Sequence, residues 1–293
     1  VLVVAFTALA MAKHPDLLVA GVRCGPGGSS IPFALLRKLA ELLFGDLGSD
    51  VTWRLAQQEA ADRLQAATGR TLAALMEHGK GLVDSLVPAA SLARRAGAAG
   101  AGEPPGGWAP ETRSQVRSAL LPQDAVTQDV LLDQLVCTLA AIAQTQPLLL
   151  LFDDLHWVDD ATAAFLLHLG RELGASRLLV LGAYRSPALS LGRRDPRTGE
   201  PTRHPLAATI NELRRARGEI VVELDRADGR TFVEAFVDAE PNRLSTPFRE
   251  ALYARTGGHA LFTVETWRNL QARGKIFRDE AGRWAVRDSL DWG

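Results

Sequence analysis

Residues 147–160 read PLLLLFDDLHWVDD, and the fold of the whole chain turns on this stretch. Four leucines and a phenylalanine, 148–152, run without interruption into Asp153 and Asp154. The run is too short for a separate helix and has no polar residue on either side. It therefore predicts a strand buried on both faces, as in a parallel sheet covered by helices. Such a strand delivers its first polar residues at its C-terminal end, where open α/β sheets bind ligands. Two carboxylates placed there can hold a magnesium ion and polarise a water. Acids that merely cap the following helix would leave the same pattern, so the run and its two aspartates alone leave both readings open.

The flanking segments supply the alternation that a parallel sheet needs. Residues 1–12 read as a buried helix, 17–22 (LLVAGV) as a strand, and 24–30 (CGPGGSS) as a glycine-rich connector without a lysine. Helices are expected over 31–44, 51–67 and 72–87, and 96–110 reads as a mobile Gly/Ala/Pro surface loop. Leu132, Leu135, Val136, Leu139 and Ile142 mark one helical face leading into the central strand. After it come a helix capped by Asp159 or Asp160 and running to Leu173, and a strand over 177–184 (RLLVLGAY). A loop over 186–201, a helix over 204–217 and a last strand at 219–224 (EIVVEL) complete the core. Strands alternating with helices argue for a parallel α/β sheet. From about residue 225 the texture changes to short helices near 228–239, 247–256 and 260–273, with a small hairpin over 275–286.

Composition narrows the function classes. With 293 residues, 47% hydrophobic and 23% charged, the chain is that of a globular protein of one large or two smaller domains. A net charge of −1 gives no electrostatic case for a nucleic-acid or membrane partner. Arg193, Arg194, Arg214, Arg215 and Arg217 are interleaved with acids and read as a solvated face. The apolar opening lacks a basic flank and is too short to span a bilayer. Cys24 and Cys137 form no CxxC, which suggests neither a disulfide framework nor a zinc site and makes a reduced cytoplasmic setting the expectation. HExxH and GxSxG are absent, which counts against a zinc protease or a serine hydrolase.

The phrase DDLHWVDD (153–160) resembles the Walker B region of the STAND class, the signal-transduction ATPases with numerous domains. It is most similar to the ATPase module of large ATP-binding transcriptional regulators of the maltose-regulator and LuxR type. The resemblance implies a parallel-sheet P-loop NTPase core of AAA+ type over residues 1–225, a helical lid over 226–273 and the start of a winged helix over 274–293. It implies ATP/ADP and Mg2+ as ligands and slow hydrolysis as a conformational switch, with regulatory or output domains of the same chain, and further copies on activation, as partners. Asp153 takes the Mg2+ position, and Asp154 orients the attacking water. Asp154 stands where many relatives have Glu, which implies slow turnover. Arg185, closing a GAYR-like strand end, matches the sensor 1 position that meets the γ-phosphate. His156 and Trp157 are typical of the family, the first as a core residue or a supporting contact and the second as packing. His204-Pro205-Leu206 resembles the HPL that opens a structural helix. Gly257 to Phe262 (GGHALF) resembles the lid motif GGNPLF, which places Gly258, His259 and Ala260 by the adenine, although Ala260 and His259 replace Pro and Asn.

No GxxxxGK[ST] occurs in the 293 residues. In the family that phosphate loop sits just before a helix like 1–12, so the resemblance implies a loop and a central strand upstream of Val1. It also implies that this stretch alone binds nucleotide poorly. A second reading keeps the fold without the nucleotide, as a degenerate scaffold for protein–protein contact.

Overall fold

The computed structural model describes residues 2–25, 32–45, 57–99, 127–172, 174, 176–194, 200–224 and 228–287. The chain divides into two compact units, Val1–Ile220 and Val221–Gly293. It is a mixed α/β protein, mostly helical, with a three-stranded parallel sheet.

In the first unit the described elements begin with α1 (Leu2–Lys13), β1 (Leu18–Arg23), α2 (Ala34–Phe44), α3 (Gln57–Ala66), α4 (Thr68–His78) and α5 (Ala89–Ala99). They continue with α6 (Gln128–Thr145), β2 (Leu148–Asp153), α7 (Asp160–Glu172), β3 (Leu178–Gly182) and the short α8 (Ser186–Ser190). A two-residue pairing of β4 (Arg193–Arg194) with β5 (Pro201–Thr202) and the helix α9 (Pro205–Arg217) close the unit.

The sheet order is β1-β2-β3, all parallel. β2 is central because it is the strand that can afford no exposed face: all five residues of its apolar run are at most 1% exposed. Each side chain so buried contributes roughly 1.5–3 kcal/mol relative to exposure. The two-residue period sorts the sheet into two layers. Leu18, Ala20, Val22, Leu148, Leu150 and Phe152 face the main core, with α2, α4, α6 and α7 supplying Leu36, Leu75, Leu139 and Phe165. Val19, Leu149 and Leu151 face the other way, against Met11 of α1. The register sets Arg23 directly across from Asp153, so both polar residues emerge at the same end of the sheet.

Several expectations need correction. The expected helix over 72–87 is α4 followed by a turn. It stops at Gly79, where a Cβ would lie 2.7 Å from Thr138 Oγ1, and a 3-10 turn, Lys80–Leu82, follows. Residues 96–99, read as loop, are the last turn of α5; residues 100–110 lie outside the described residues, as do 26–30 of the connector and 51–56 of the expected third helix. The preceding Arg95 is buried and donates to the carbonyls of Leu42, Gly45 and Leu64, satisfying orphan acceptors at two helix ends. The loop after β3 contains α8. α1 is only half buried, with Phe6 and Leu9 exposed. The EIVVEL segment is not a strand. Its β-branched residues favour extension, but a strand needs a ladder with a neighbouring strand, and the sheets of the described residues do not include this segment. Ile220 and Val222 are accordingly exposed.

The second unit contains α10 (Gly229–Asp238), α11 (Thr246–Thr256), α12 (Ala260–Ala272) and an antiparallel hairpin, β6 (Ile276–Arg278) with β7 (Trp284–Val286). Asp228 caps α10 by accepting from the backbone N–H of Arg230 and Thr231. Val233, Val237, Phe248, Leu252 and Leu270 of the helices share one core with Ile276 and Trp284 of the hairpin. Trp267, partly buried, packs against this core edge-on to Phe236, Phe248 and Trp284. Among the described residues no helix is long and apolar enough to cross a membrane.

Candidate functional site

The parallel pairing delivers the end of β2 into the mouth of the sheet. Cys24 N–H donates to the Asp153 carbonyl at 2.9 Å, carrying the β1–β2 ladder one step past the strands. Asp153 then accepts the Asp154 N–H on its own Oδ1 at 3.0 Å. Asp154 adopts the left-handed conformation, φ 55° and ψ 39°, a region that Asp tolerates better than most residues. This kink starts a 3-10 turn, Leu155–Trp157, and turns the chain back across the sheet end. There Leu155 N–H donates to the Ala183 carbonyl at 2.8 Å. Gly182 makes room for the turn, since a Cβ would lie 2.4 Å from Leu155 Cδ1.

His204 locks this turn in place. Its Nδ1 accepts the Leu206 N–H at 3.2 Å as the cap of α9, which leaves Nε2 to carry the proton and donate to the His156 carbonyl at 3.0 Å. Thus the HPL motif, read as structural, ties the helix α9 to the acidic turn. Asp159 was expected as a helix cap. It stands at the cap position of α7, its carbonyl accepting the Ala163 N–H at 3.0 Å, and its buried carboxylate accepts from the Thr162 hydroxyl and also from the Phe33 N–H at 3.0 Å. It thereby clamps the start of α2 against the turn.

The acids carry a cation of their own. Arg23 Nε lies 2.8 Å from Asp154 Oδ2 and 3.6 Å from Asp153 Oδ2, with the arginine side chain 59% exposed. The hydrogen bond to Asp154 and the charges of both acids push the Arg23 guanidinium pKa up. On the inner side His156, buried, holds Nδ1 4.0 Å from Asp154 Oδ1, and that nitrogen has no hydrogen-bond partner. Next to the pair a cavity of about 260 Å³ opens between the start of α2 and the 3-10 turn, lined by Arg23, Cys24, Leu35, Lys38, Trp157 and Asp159. Burial, then the charges of Asp154, Asp159 and Asp153, push the Cys24 thiol from an ordinary 9.0 up to about 12.

Arg185 follows β3 by three residues and precedes α8, with its side chain exposed and no ion pair to either acid among the described residues. Sequence reasoning brought Asp153 and Asp154 together but missed Arg23 and Asp159. The signal for Arg23 was its place at the end of a strand that pairs with β2, which only the register reveals.

Gly258, His259 and Ala260 lie in the second unit. Gly257, φ 60°, closes α11, and Gly258, φ 73°, packs on Gly229, where a Cβ would lie 2.3 Å from the Gly229 Cα. His259 caps α12, and Ala260 is its first residue, a position that also suits the proline of the related motif. His259 stacks at a tilt on Phe262, 4.7 Å between ring centres, and both are exposed.

Among the described residues no group of three or more His, Cys, Asp or Glu could hold a metal ion. The two aspartates nonetheless suit Mg2+, which takes one or two protein carboxylates and completes its shell with water and phosphate. No family model matches the chain, and no curated protein or solved structure matches it.

Proposed function

We propose that the chain is an ATP-binding regulatory module of the STAND type, with a P-loop NTPase core in the first unit and a lid in the second, working in the cytoplasm. The observation that carries this reading is the C-terminal end of a central parallel strand bearing two adjacent carboxylates that already hold a cation, Arg23. Phosphoryl transfer asks little covalent chemistry of a protein; it asks for positioning and charge. Bound Mg2+ would supply charge neutralisation at the phosphates. Asp153 holds the cation or one of its waters, and Asp154, one methylene shorter than Glu, orients the attacking water slowly. Arg185 lies three residues past the end of β3 and offers a free cation to a γ-phosphate. Gly258, His259 and Ala260 of the second unit stand where the related lid motif meets the adenine. Nucleotide exchange and slow turnover then bias the conformation that regulatory or output domains, or a further copy, read.

The phosphate loop this reading requires is not among the 293 residues. The test is calorimetry of Mg-ATP and Mg-ADP on the natural chain extended to include such a loop, beside its Asp153→Asn variant. Micromolar binding, weakened for ATP in the variant, supports the module. Absence of binding by a folded extended chain refutes it and leaves the second reading, a nucleotide-free scaffold.

A further inference from the structure

A pair of aspartates at a strand end can simply be solvated. Two observations set this pair apart. Arg23 comes from the neighbouring strand, and the β1–β2 register holds it over both carboxylates. Behind them, the buried His156 aims an unpartnered Nδ1 at the far oxygen of Asp154, 4.0 Å away, too long for a hydrogen bond. Asp154 therefore sits between a partner it has and a partner it could gain.

We propose that Arg23 is a displaceable counter-cation, a latch that competes with a divalent cation for Asp153 and Asp154, and that His156 takes up Asp154 when Arg23 leaves. This rests on the reading that the pair receives a divalent cation with nucleotide. The latch is weak by construction. Arg23 is more than half exposed, and exposed ion pairs change an equilibrium by no more than about fivefold each. Two such contacts hold the acids without a metal yet yield to a doubly charged ion seated at Asp153. The exchange also frees the guanidinium beside the cavity that it lines with Lys38, so metal arrival and a second cation facing that cavity are one event. His156 has the matching geometry: with Nδ1 protonated it is a neutral donor, needs no change of charge, and must close only about 1 Å to hydrogen-bond Asp154.

The test is Mn2+ binding, followed by electron paramagnetic resonance on the natural chain, for the wild type and for Arg23→Gln, Arg23→Lys and Asp153→Asn. Metal-free thermal unfolding is measured on each. Arg23→Gln is expected to bind Mn2+ about three- to tenfold more tightly than wild type and to unfold at a lower temperature without metal, because two like charges then face each other unshielded. Arg23→Lys, a point charge that cannot span both acids, is expected to fall between. Asp153→Asn is expected to lose binding. Unchanged or weaker binding by Arg23→Gln, with loss in Asp153→Asn, overturns the latch and leaves the cation role of the pair standing. No Mn2+ binding by either the wild type or Arg23→Gln, alone or with an ATP analogue present, overturns both.

Discussion

Replacing Gly258 by alanine separates a packing role from a ligand role in the Gly-Gly-His turn. Two costs follow from the geometry. An L-residue at φ 73° enters the left-handed region, costing roughly 1–2 kcal/mol. The new Cβ would also lie 2.3, 2.4 and 2.5 Å from Gly229 Cα, C and O. Those are backbone atoms of the first turn of α10, so no flexible side chain can yield, and overpacking of this kind costs roughly 1–3 kcal/mol. The sum, about 2–5 kcal/mol, is a large part of what a unit of this size has, since native stability runs to about 0.05–0.15 kcal/mol per residue. Gly257→Ala is the control. Its φ is 60°, but nothing lies within 4 Å of the added Cβ, so only the first cost applies, partly offset by the stiffer unfolded chain. Hydrogen exchange read by mass spectrometry over α10, α11 and α12 reports the difference locally. Gly258→Ala is expected to lower protection roughly 30-fold or more, and Gly257→Ala about tenfold or less. Equal losses, or unchanged protection in Gly258→Ala, would refute the close-packing argument.

Two further predictions concern titration. The Cys24 thiol, held near 12, has about 10⁻⁴ of its population as thiolate at pH 8, so maleimide should label it roughly a thousandfold more slowly than an ordinary exposed thiol. Exposed Cys137 is the internal comparison by peptide mapping, and equal rates would refute the burial argument. In the second unit three aspartates lie below their ordinary 3.8: Asp228 through the Thr231 hydroxyl, Asp238 through Arg249, and Asp279 through the Arg283 backbone N–H. The native unit therefore binds fewer protons than the unfolded one in acid. Its extra stability is present above pH 3.8 and is lost as pH falls through the depressed values. Protection of α10 to α12 should thus decline below about pH 4, and a flat profile between pH 5 and 2.5 would contradict this.

What the sequence made legible follows from how local each signal is. The run 148–152 could only be a doubly buried strand, and its pleat alternates between the two cores. The helical face from Leu132 to Ile142 is likewise buried throughout α6. Pairing is not local, and there the reading failed. Residues 219–224 have the composition of a strand, yet among the described residues they join no sheet, and β3 has a sheet neighbour on one side only. Arg23 and Asp154 are 131 residues apart, and their contact depends on a register that no spacing encodes. Periodicity would have carried the helix past Gly79, and the need for glycine there, beside the Thr138 side chain of another helix, is not local either. Gly257-Gly258 announced a helix end correctly, while the second glycine's need to pass the backbone of Gly229 was invisible.

The most direct measurement is an anomalous-difference map from crystals of the natural chain, extended to include a phosphate loop, grown with Mn2+ and a non-hydrolysable ATP analogue. The account predicts a manganese peak beside the Asp153 carboxylate, between it and the terminal phosphates, with Arg23 withdrawn from both acids and His156 hydrogen-bonded to Asp154. Nucleotide bound with its manganese elsewhere, or an unliganded strand end with Arg23 still resting on Asp153 and Asp154, would contradict it.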